Sequence, residues 1–216
     1  MGEGINKQLL PLDGRPVLAY SLAALEECGE VAEYVLVVGN EVIAEVSRLA
    51  REEWGCRKLA GVVPGGETRR DSVWEGLRTM PDDTRIVVIH DGARPFLQRE
   101  LVGRVISEAV RWGAATPAVP VKDTVKRVDA GGFVFKTVPR ESLWLTQTPQ
   151  AFSFPVLREA HRRARAEGLP ATDDASLVEA LGHRVKVVEG SYLNIKITTP
   201  EDLVLARAIA RMCAGR

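Results

Sequence analysis

The chain has 216 residues, of which 45% are hydrophobic and 27% charged, a composition typical of a single globular domain. Basic and acidic residues number 29 each, so the chain has no overall cationic field of the kind that holds proteins on duplex DNA, and no apolar run reaches the about 20 residues of a membrane-spanning helix. The three cysteines have no metal-binding spacing and no secretory signal pattern is present, so we expect a soluble, cytoplasmic protein without nucleic-acid or membrane partners.

Short apolar runs rich in β-branched residues predict buried strands. They cover residues 34–38, 58–63, 85–90, 114–119 and 184–189. Amphipathic patterns between them predict helices at 16–27, 41–53, 70–79, 99–112, 155–167, 173–181 and 200–212. This alternation predicts an α/β fold for residues 1–216, with a mostly parallel twisted sheet flanked by helices and ligands at the carboxyl ends of the strands.

Residues 123–150 interrupt this alternation. Two segments of alternating polarity, D-T-V-K-R-V and F-V-F-K-T-V, flank the pair Gly131 and Gly132, which predicts a β-hairpin arm projecting from the α/β body. The apolar side chains of Phe133, Val134 and Phe135 would need a cover. We therefore expect the arm to contact a second subunit.

The segment H-D-G-A-R-P follows the predicted strand I-V-V-I. A carboxylate at the carboxyl end of such a strand faces the ligand crevice, where Asp91 is able to bind a divalent cation that bridges phosphate oxygens. Arg94 is able to pair with a phosphate or carboxylate group. The alternative is that Asp91 caps the next turn and Arg94 forms a salt bridge with it.

The segment P-G-G-E-T-R-R-D-S also lies between a predicted strand and a helix. Gly65 and Gly66 permit close approach of the backbone to a ligand, while Ser72 and the free amides of the helix start are able to bond a base or phosphate. A plain strand-to-helix turn is the alternative. The chain contains neither a G-x-G-x-x-G dinucleotide-binding fingerprint nor a Walker A loop.

Other basic and hydroxyl residues are uninformative when taken singly. Lys7, Lys122, Thr124 and Lys196 are typical of solvated surface positions. The three histidines are scattered along the chain and form neither a metal-binding set nor a Ser-His-Asp arrangement in the sequence.

Seven segments, taken together and in order, resemble the 2-C-methyl-D-erythritol 4-phosphate cytidylyltransferase family. They read N-K-Q-L-L-P-L-D-G-R-P-V-L, G-G-E-T-R-R-D-S-V, H-D-G-A-R-P, P-V-K-D-T-V-K-R, L-W-L-T-Q-T-P-Q-A-F, T-D-D-A-S and N-I-K-I-T-T-P-E-D-L. The resemblance implies a Rossmann-like nucleotidyltransferase fold, Mg²⁺ as cofactor and a homodimer. It also implies the reaction of CTP with 2-C-methyl-D-erythritol 4-phosphate, which gives 4-diphosphocytidyl-2-C-methyl-D-erythritol and pyrophosphate in non-mevalonate isoprenoid precursor biosynthesis.

The resemblance implies roles for residues on the CTP side of the reaction. Lys7 matches the lysine that stabilises charge on the α-phosphate, although asparagine stands before it where the family has proline. Gly65, Gly66 and Ser72 match the segment that recognises cytosine. Asp91 matches the magnesium-linked aspartate that contributes to CTP binding.

The resemblance also implies roles around the acceptor phosphate. Arg140 and Lys196 match the arginine and lysine that position this phosphate for attack, and Arg140 would reach the site from the arm of the other subunit. The remaining residues that match substrate-binding positions are Arg94, Thr124, Thr148 and Thr172.

One departure concerns the amino-terminal motif A-A-G-x-G-x-R-M of the family, whose last residue aligns with Met1. We expect the preceding strand and most of this glycine-rich loop to be missing from the 216 residues, leaving sheet edges unpaired. Either Met1 is internal to a longer natural protein or the protein is naturally short. We expect weak CTP binding and slow turnover of this form, because one lost donor to developing charge costs about 3 kcal/mol.

Two other functions remain open at the level of sequence. A cytidylyltransferase for ribitol 5-phosphate would share most of these segments. A truncated homologue that binds ligand without catalysis is the second alternative.

Overall fold

The structure is a computed structural model that describes residues 7–214, so the expectations concerning Met1 lie outside the described residues. Its strands are β1 (Pro11–Leu12), β2 (Arg15–Pro16), β3 (Tyr34–Val38), β4 (Leu59–Pro64), β5 (Ile86–Ile89), β6 (Ala114–Pro120), β7 (Val125–Val128), β8 (Val134–Val138), β9 (Trp144–Thr146), β10 (Gln150–Ser153) and β11 (Lys186–Glu189). Its helices are α1 (Val17–Glu27), α2 (Ile43–Glu52), α3 (Arg69–Leu77), α4 (Arg99–Trp112), α5 (Phe154–Glu167), α6 (Asp174–Ala180) and α7 (Pro200–Ala214). Short 3-10 helices cover Lys7–Leu9 and Asn40–Val42. The predicted α/β fold is confirmed.

The main sheet is mixed rather than wholly parallel. Its strand order is β11-β6-β10-β5, with β9 also paired to β6. β11 runs parallel to β6, whereas β10 runs antiparallel to both β5 and β6. A second sheet consists of the parallel strands β3 and β4.

Two sheet edges face each other across a cleft. Among residues 7–214, β3 pairs with β4 alone and β5 with β10 alone, in agreement with the expected unpaired edges. Val35 and Val37 of β3, and Ile86 and Val88 of β5, line this cleft. The two sheets therefore form opposite walls of one space.

The helices cover the sheets with their apolar faces, as amphipathic patterns predict. α1 and α2 bury Leu22 and Val46 against β3 and β4, while α5 buries Leu157 against Phe152 of β10. Within the described part of the chain, no helix is both long and apolar enough to span a bilayer.

A two-residue turn at Asp13 and Gly14 joins β1 to β2. Both residues have positive φ, 51° and 81°, which is typical of the Asp-Gly turn that favours hairpins. The sequence analysis did not predict this hairpin. It also placed Pro16 in the first turn of a helix, whereas Pro16 is the residue before α1.

The predicted arm exists as the antiparallel pair β7 and β8. Gly132 has a φ of 81°, and Asp129 accepts the backbone N–H groups of Gly131 and Phe133. Phe133 and Phe135 are about three-quarters exposed, 75% and 72%. The arm ends sooner than predicted, because β9 returns to the main sheet within the range 123–150.

Candidate active site

The cleft between the two sheets has a volume of about 1200 Å³. It collects residues from three distant parts of the chain, which are Lys7, the pair Gly65 and Gly66, and Asp91. The glycine pair follows β4 and Asp91 follows β5, whereas Lys7 precedes β1. Positions after strand ends are expected to line a ligand crevice in an α/β fold. The sequence-predicted CTP-side residues therefore lie around one space.

The glycine pair forms a tight turn at the wall of this cleft. The Gly65 N–H donates to the carbonyl of Val38 at 2.8 Å, and the Gly66 N–H donates to the Ser72 hydroxyl at 3.1 Å. The Ser72 hydroxyl in turn lies 3.0 Å from the carbonyl of Thr68. Ser72, the fourth residue of α3, thus connects the helix to the glycine turn through its hydroxyl.

Thr68 caps the amino terminus of α3. Its hydroxyl accepts the backbone N–H of Asp71 at 3.1 Å and donates to the Asp71 carboxylate at 2.6 Å. This cap accounts for the start of α3 at Arg69, three residues after Gly66.

Asp91 lies among three cationic side chains. Its Oδ1 lies 2.9 Å from Arg69 Nε, and its Oδ2 lies 2.9 Å from Lys196 Nζ and 3.8 Å from Arg94 Nε. Burial opposes ionisation of Asp91, but the charges of Arg69 and Lys196 outweigh burial and lower its pKa to about 2. Asp91 is therefore an anion throughout the physiological pH range.

The salt bridge between Arg94 and Asp91, which the sequence left as an alternative, is long, with 3.8 Å between Arg94 Nε and Asp91 Oδ2. The Arg94 guanidinium instead donates through Nη1 to the carbonyl of Asn194 at 2.7 Å. Burial lowers the pKa of Arg94, and Asp91 partly offsets this effect. Arg94 therefore connects the H-D-G-A-R-P segment to the segment that carries Lys196.

Thr148 lies behind Asp91 and is buried. Its hydroxyl accepts the backbone N–H of Asp91 at 3.0 Å and lies 3.1 Å from His90 Nδ1. His90 Nε2 lies 3.2 Å from the carbonyl of Arg94, so Nε2 carries the hydrogen and Nδ1 accepts the Thr148 hydroxyl. With these partners, Thr148 holds the backbone of Asp91.

Lys7 approaches the same region from the 3-10 helix at Lys7–Leu9. Its Nζ donates to the carbonyl of Thr198 at 2.9 Å. Lys7 therefore contacts the segment that carries Lys196, the other lysine named by the resemblance.

The other sequence-predicted residues lie elsewhere in the described chain. Thr124 and Arg140 are exposed at the base of the arm, and the Arg140 guanidinium contacts the carbonyl of Lys122. Thr172 is exposed in the loop before α6. Within residues 7–214, none of these three lines the cleft.

The sequence analysis did not single out Arg69, which contacts both Asp91 and Asp174. Its position three residues after Gly66, on the first turn of α3, is the signal that would have identified it. A residue at this position faces the same strand ends as the glycine pair.

In the range 7–214, Asp91 is the single carboxylate at this position, which limits the way in which Mg²⁺ would bind here. Among the described residues, no group of three or more His, Cys, Asp or Glu side chains is placed to hold a metal ion. Mg²⁺ in nucleotide sites is commonly bound by one or two carboxylates, water and substrate phosphates. The anionic, partly buried carboxylate of Asp91 matches this mode.

Comparison with known proteins agrees with these observations. Residues 1–212 match the family model described as 2-C-methyl-D-erythritol 4-phosphate cytidylyltransferase (IspD). A protein of that name from Pelotomaculum thermopropionicum is 51% identical over 218 residues, which cover 100% of this chain and 91% of the relative.

Solved structures give the same result. The crystal structure of the protein of that name from Thermus thermophilus is 41% identical, with a TM-score of 0.82 over 95% of this chain and 94% of that one. The crystal structure of a 4-diphosphocytidyl-2C-methyl-D-erythritol synthase from Anaerococcus prevotii is 32% identical, with a TM-score of 0.88 over 97% of this chain and 92% of that one.

Proposed function

The chain belongs to the 2-C-methyl-D-erythritol 4-phosphate cytidylyltransferase family, and we infer that it transfers the cytidylyl group of CTP to 2-C-methyl-D-erythritol 4-phosphate. The products are 4-diphosphocytidyl-2-C-methyl-D-erythritol and pyrophosphate, in non-mevalonate isoprenoid precursor biosynthesis. The observation that carries this inference is the cluster of Asp91, Arg69 and Lys196 beside the glycine pair, in a cleft large enough for a nucleotide.

The reaction needs no nucleophile from the protein. An oxygen of the acceptor phosphate attacks the α-phosphorus of CTP, and the bond to the β-phosphate oxygen breaks to release pyrophosphate. Such a transfer depends on positioning and on neutralisation of charge. This agrees with a cleft that places Lys7, Arg69 and Asp91 beside the glycine pair.

The cleft residues have the following proposed roles. The Gly65 and Gly66 turn, held by Ser72, binds the cytosine end of CTP, and Lys7 stabilises the charge that develops on the α-phosphate. Asp91 would hold Mg²⁺, which would supply a positive charge to the nucleotide phosphates.

The acceptor-side residues form a second group. Lys196 and Arg140 are proposed to orient the acceptor phosphate, with Arg94, Thr124 and Thr172 as further proposed contacts. Thr148 is proposed to act through the backbone of Asp91, because its hydroxyl already has two partners there.

We further propose a cytoplasmic homodimer in which the β7 and β8 arm of one subunit contacts the other. The exposed side chains of Val128, Phe133, Val134 and Phe135 support an apolar contact of this arm. Arg140 at the base of the arm would then complete the partner's site.

Pyrophosphate release with CTP and each of two acceptors tests the proposed function. We expect release with 2-C-methyl-D-erythritol 4-phosphate and Mg²⁺, loss of release with a chelator, and much slower release with ATP in place of CTP. Faster release with ribitol 5-phosphate than with 2-C-methyl-D-erythritol 4-phosphate would contradict the proposed acceptor.

A further inference from the structure

Arg69 connects Asp91 to a second, more deeply buried carboxylate. While Arg69 Nε contacts Asp91 Oδ1 at 2.9 Å, its Nη1 forms an ion pair with Asp174 Oδ2 at 2.8 Å. The three residues come from the strand-end segment after β5, the first turn of α3 and the first turn of α6. The guanidinium thus spans three separate elements with one planar group.

Asp174 is fixed from its other side by His161. The side chains of His161 and Asp174 are 0% and 1% exposed, and His161 Nε2 lies 2.9 Å from Asp174 Oδ1. Nε2 carries a hydrogen in this contact, because the carboxylate oxygen is the acceptor. His161 itself is buried in α5, which packs against α6. Asp174 therefore has little freedom to turn away from Arg69.

A buried carboxylate of this kind requires its partners. An ionised carboxylate without compensating charge is strongly disfavoured in a protein interior. The positive charge of Arg69 compensates the Asp174 carboxylate. In return, the ion pair with Asp174 fixes the orientation of the Arg69 guanidinium. Burial disfavours the charged form of Arg69, but Asp174 and Asp91 outweigh it and raise its pKa.

We propose that Asp174 and His161 are positioning residues for the reaction. They hold Arg69 in one orientation, and Arg69 in turn holds the Asp91 carboxylate toward the cleft. This proposal rests on the proposed function, because Asp91 is its point of contact with the nucleotide and Mg²⁺. Neither Asp174 nor His161 lines the cleft, so both act through Arg69.

The alternative role for the pair is to stabilise the fold only. In that case a substitution would lower the unfolding temperature and leave turnover unchanged at temperatures where the variant is folded. A positioning role instead changes kcat in the folded variant. The two roles therefore differ in a measurable way.

The Asp174→Asn variant is the main test. The amide keeps an acceptor for His161 but removes the charge that holds Arg69. We expect kcat to fall by roughly tenfold or more, since misplacement of a catalytic group by about 1 Å costs up to 10²-fold. The matched control is Glu179→Gln, which removes one negative charge from an exposed position of the same helix and should keep wild-type kcat.

His161 supplies a conservative rescue. His161→Leu removes the donor to Asp174 and should lower kcat, whereas His161→Gln keeps an N–H donor and should restore most of it. In the double variant Arg69→Lys with Asp174→Asn, kcat should be no lower than in the worse single variant, because both changes break the same connection. If the factor by which kcat falls in the double variant equalled the product of the two single-variant factors, the proposal would be overturned.

A second readout does not depend on turnover. The rate at which phenylglyoxal modifies Arg69, followed by peptide mass spectrometry, should rise several-fold in Asp174→Asn and stay at the wild-type value in Glu179→Gln. An unchanged rate at Arg69 would overturn the positioning proposal. Absence of wild-type pyrophosphate release would instead contradict the proposed function, so the two failures are distinguishable.

Discussion

Gly66 has no room for a side chain. A Cβ atom built at this position would lie 2.5 Å from Asp71 Cβ and 3.0 Å from the Asp71 carbonyl carbon. Since Asp71 belongs to the capped first turn of α3, the glycine turn would have to move instead. The turn geometry therefore depends on glycine here for space rather than for backbone conformation.

The Gly66→Ala variant tests the role of this turn in CTP binding. We expect kcat/KM for CTP to fall roughly 10- to 100-fold, because the displaced turn no longer allows the close approach of its backbone to the nucleotide. The control is Gly61→Ala on β4, where a Cβ atom would meet nothing within 4 Å. If both variants kept wild-type kcat/KM, the glycine turn would not be part of the nucleotide site.

His90 gives the protein a pH-dependent stability. Burial lowers the pKa of His90 from 6.5 to about 4, with Asp91 partly offsetting the effect. Between pH 6.5 and 4, His90 is therefore protonated in the unfolded state and neutral in the folded state. The free energy of unfolding decreases as pH falls through this range, by roughly 3 kcal/mol. Asp91 acts in a lower window, since its stabilising contribution is lost as pH falls from 3.8 toward 2.

Urea unfolding at several pH values between 7 and 4.5 measures this effect. The free energy of unfolding should decrease less steeply on acidification in His90→Gln than in the wild type, even though the variant is less stable at pH 7. The exposed His183 provides the control, and His183→Gln should keep the wild-type slope. Equal slopes for His90→Gln and wild type would show that His90 does not cause the loss.

At the scale of elements, the arm is the feature with the clearest consequence. Its outer side chains are exposed, while its base is tied to the body by Lys122, whose Nζ lies 3.4 Å from the centre of the Tyr192 ring. Tyr192 also donates to the carbonyl of Pro120 at 2.6 Å. A fixed base with an exposed apolar tip suits contact with a second subunit.

Mixed dimers test whether the arm completes the partner's site. Lys7→Ala and Arg140→Ala subunits, each nearly inactive alone, are unfolded together, refolded and assayed. If Arg140 acts across the interface, about half of the dimers are mixed and each has one intact site, so activity should recover to about a quarter of wild type. Activity that stays at the level of the separate variants would place Arg140 and Lys7 in the same subunit's site.

The sequence predicted the seven α-helices, the five strands of the α/β alternation and the hairpin arm, but it missed the short strands β1, β2, β9 and β10. The five predicted strands and seven predicted helices all occur, with ends that differ by at most two residues. β10 was missed because Q-A-F-S has no alternation and its pairing with β5 and β6 is set by distant strands. Sequence periodicity reports local burial and contains no information about such partners.

The site shows the same division between local and long-range features. The segments around Gly66 and Asp91 were predicted because each is a local motif at a strand end. Arg69, Asp174 and His161 were not, because their contact depends on the packing of α3, α5 and α6, and each residue alone is typical of an ordinary surface or core position.

At the scale of the whole molecule, the two sheets place a nucleotide-sized cleft between them and the arm beside it. Lys7, Arg69 and Asp91 in this cleft suit a transfer between phosphates, and no protein nucleophile is required. The central claim is therefore that the acceptor phosphate itself attacks the α-phosphorus of CTP.

Oxygen labelling tests this claim most directly. The acceptor 2-C-methyl-D-erythritol 4-phosphate, labelled with ¹⁸O at the non-bridging oxygens of its phosphate, is incubated with the protein, CTP and Mg²⁺, and the products are analysed by mass spectrometry. We predict that all of the label appears in the diphosphocytidyl product and none in pyrophosphate. Unlabelled CMP as the main product, or label in pyrophosphate, would contradict transfer to the acceptor phosphate.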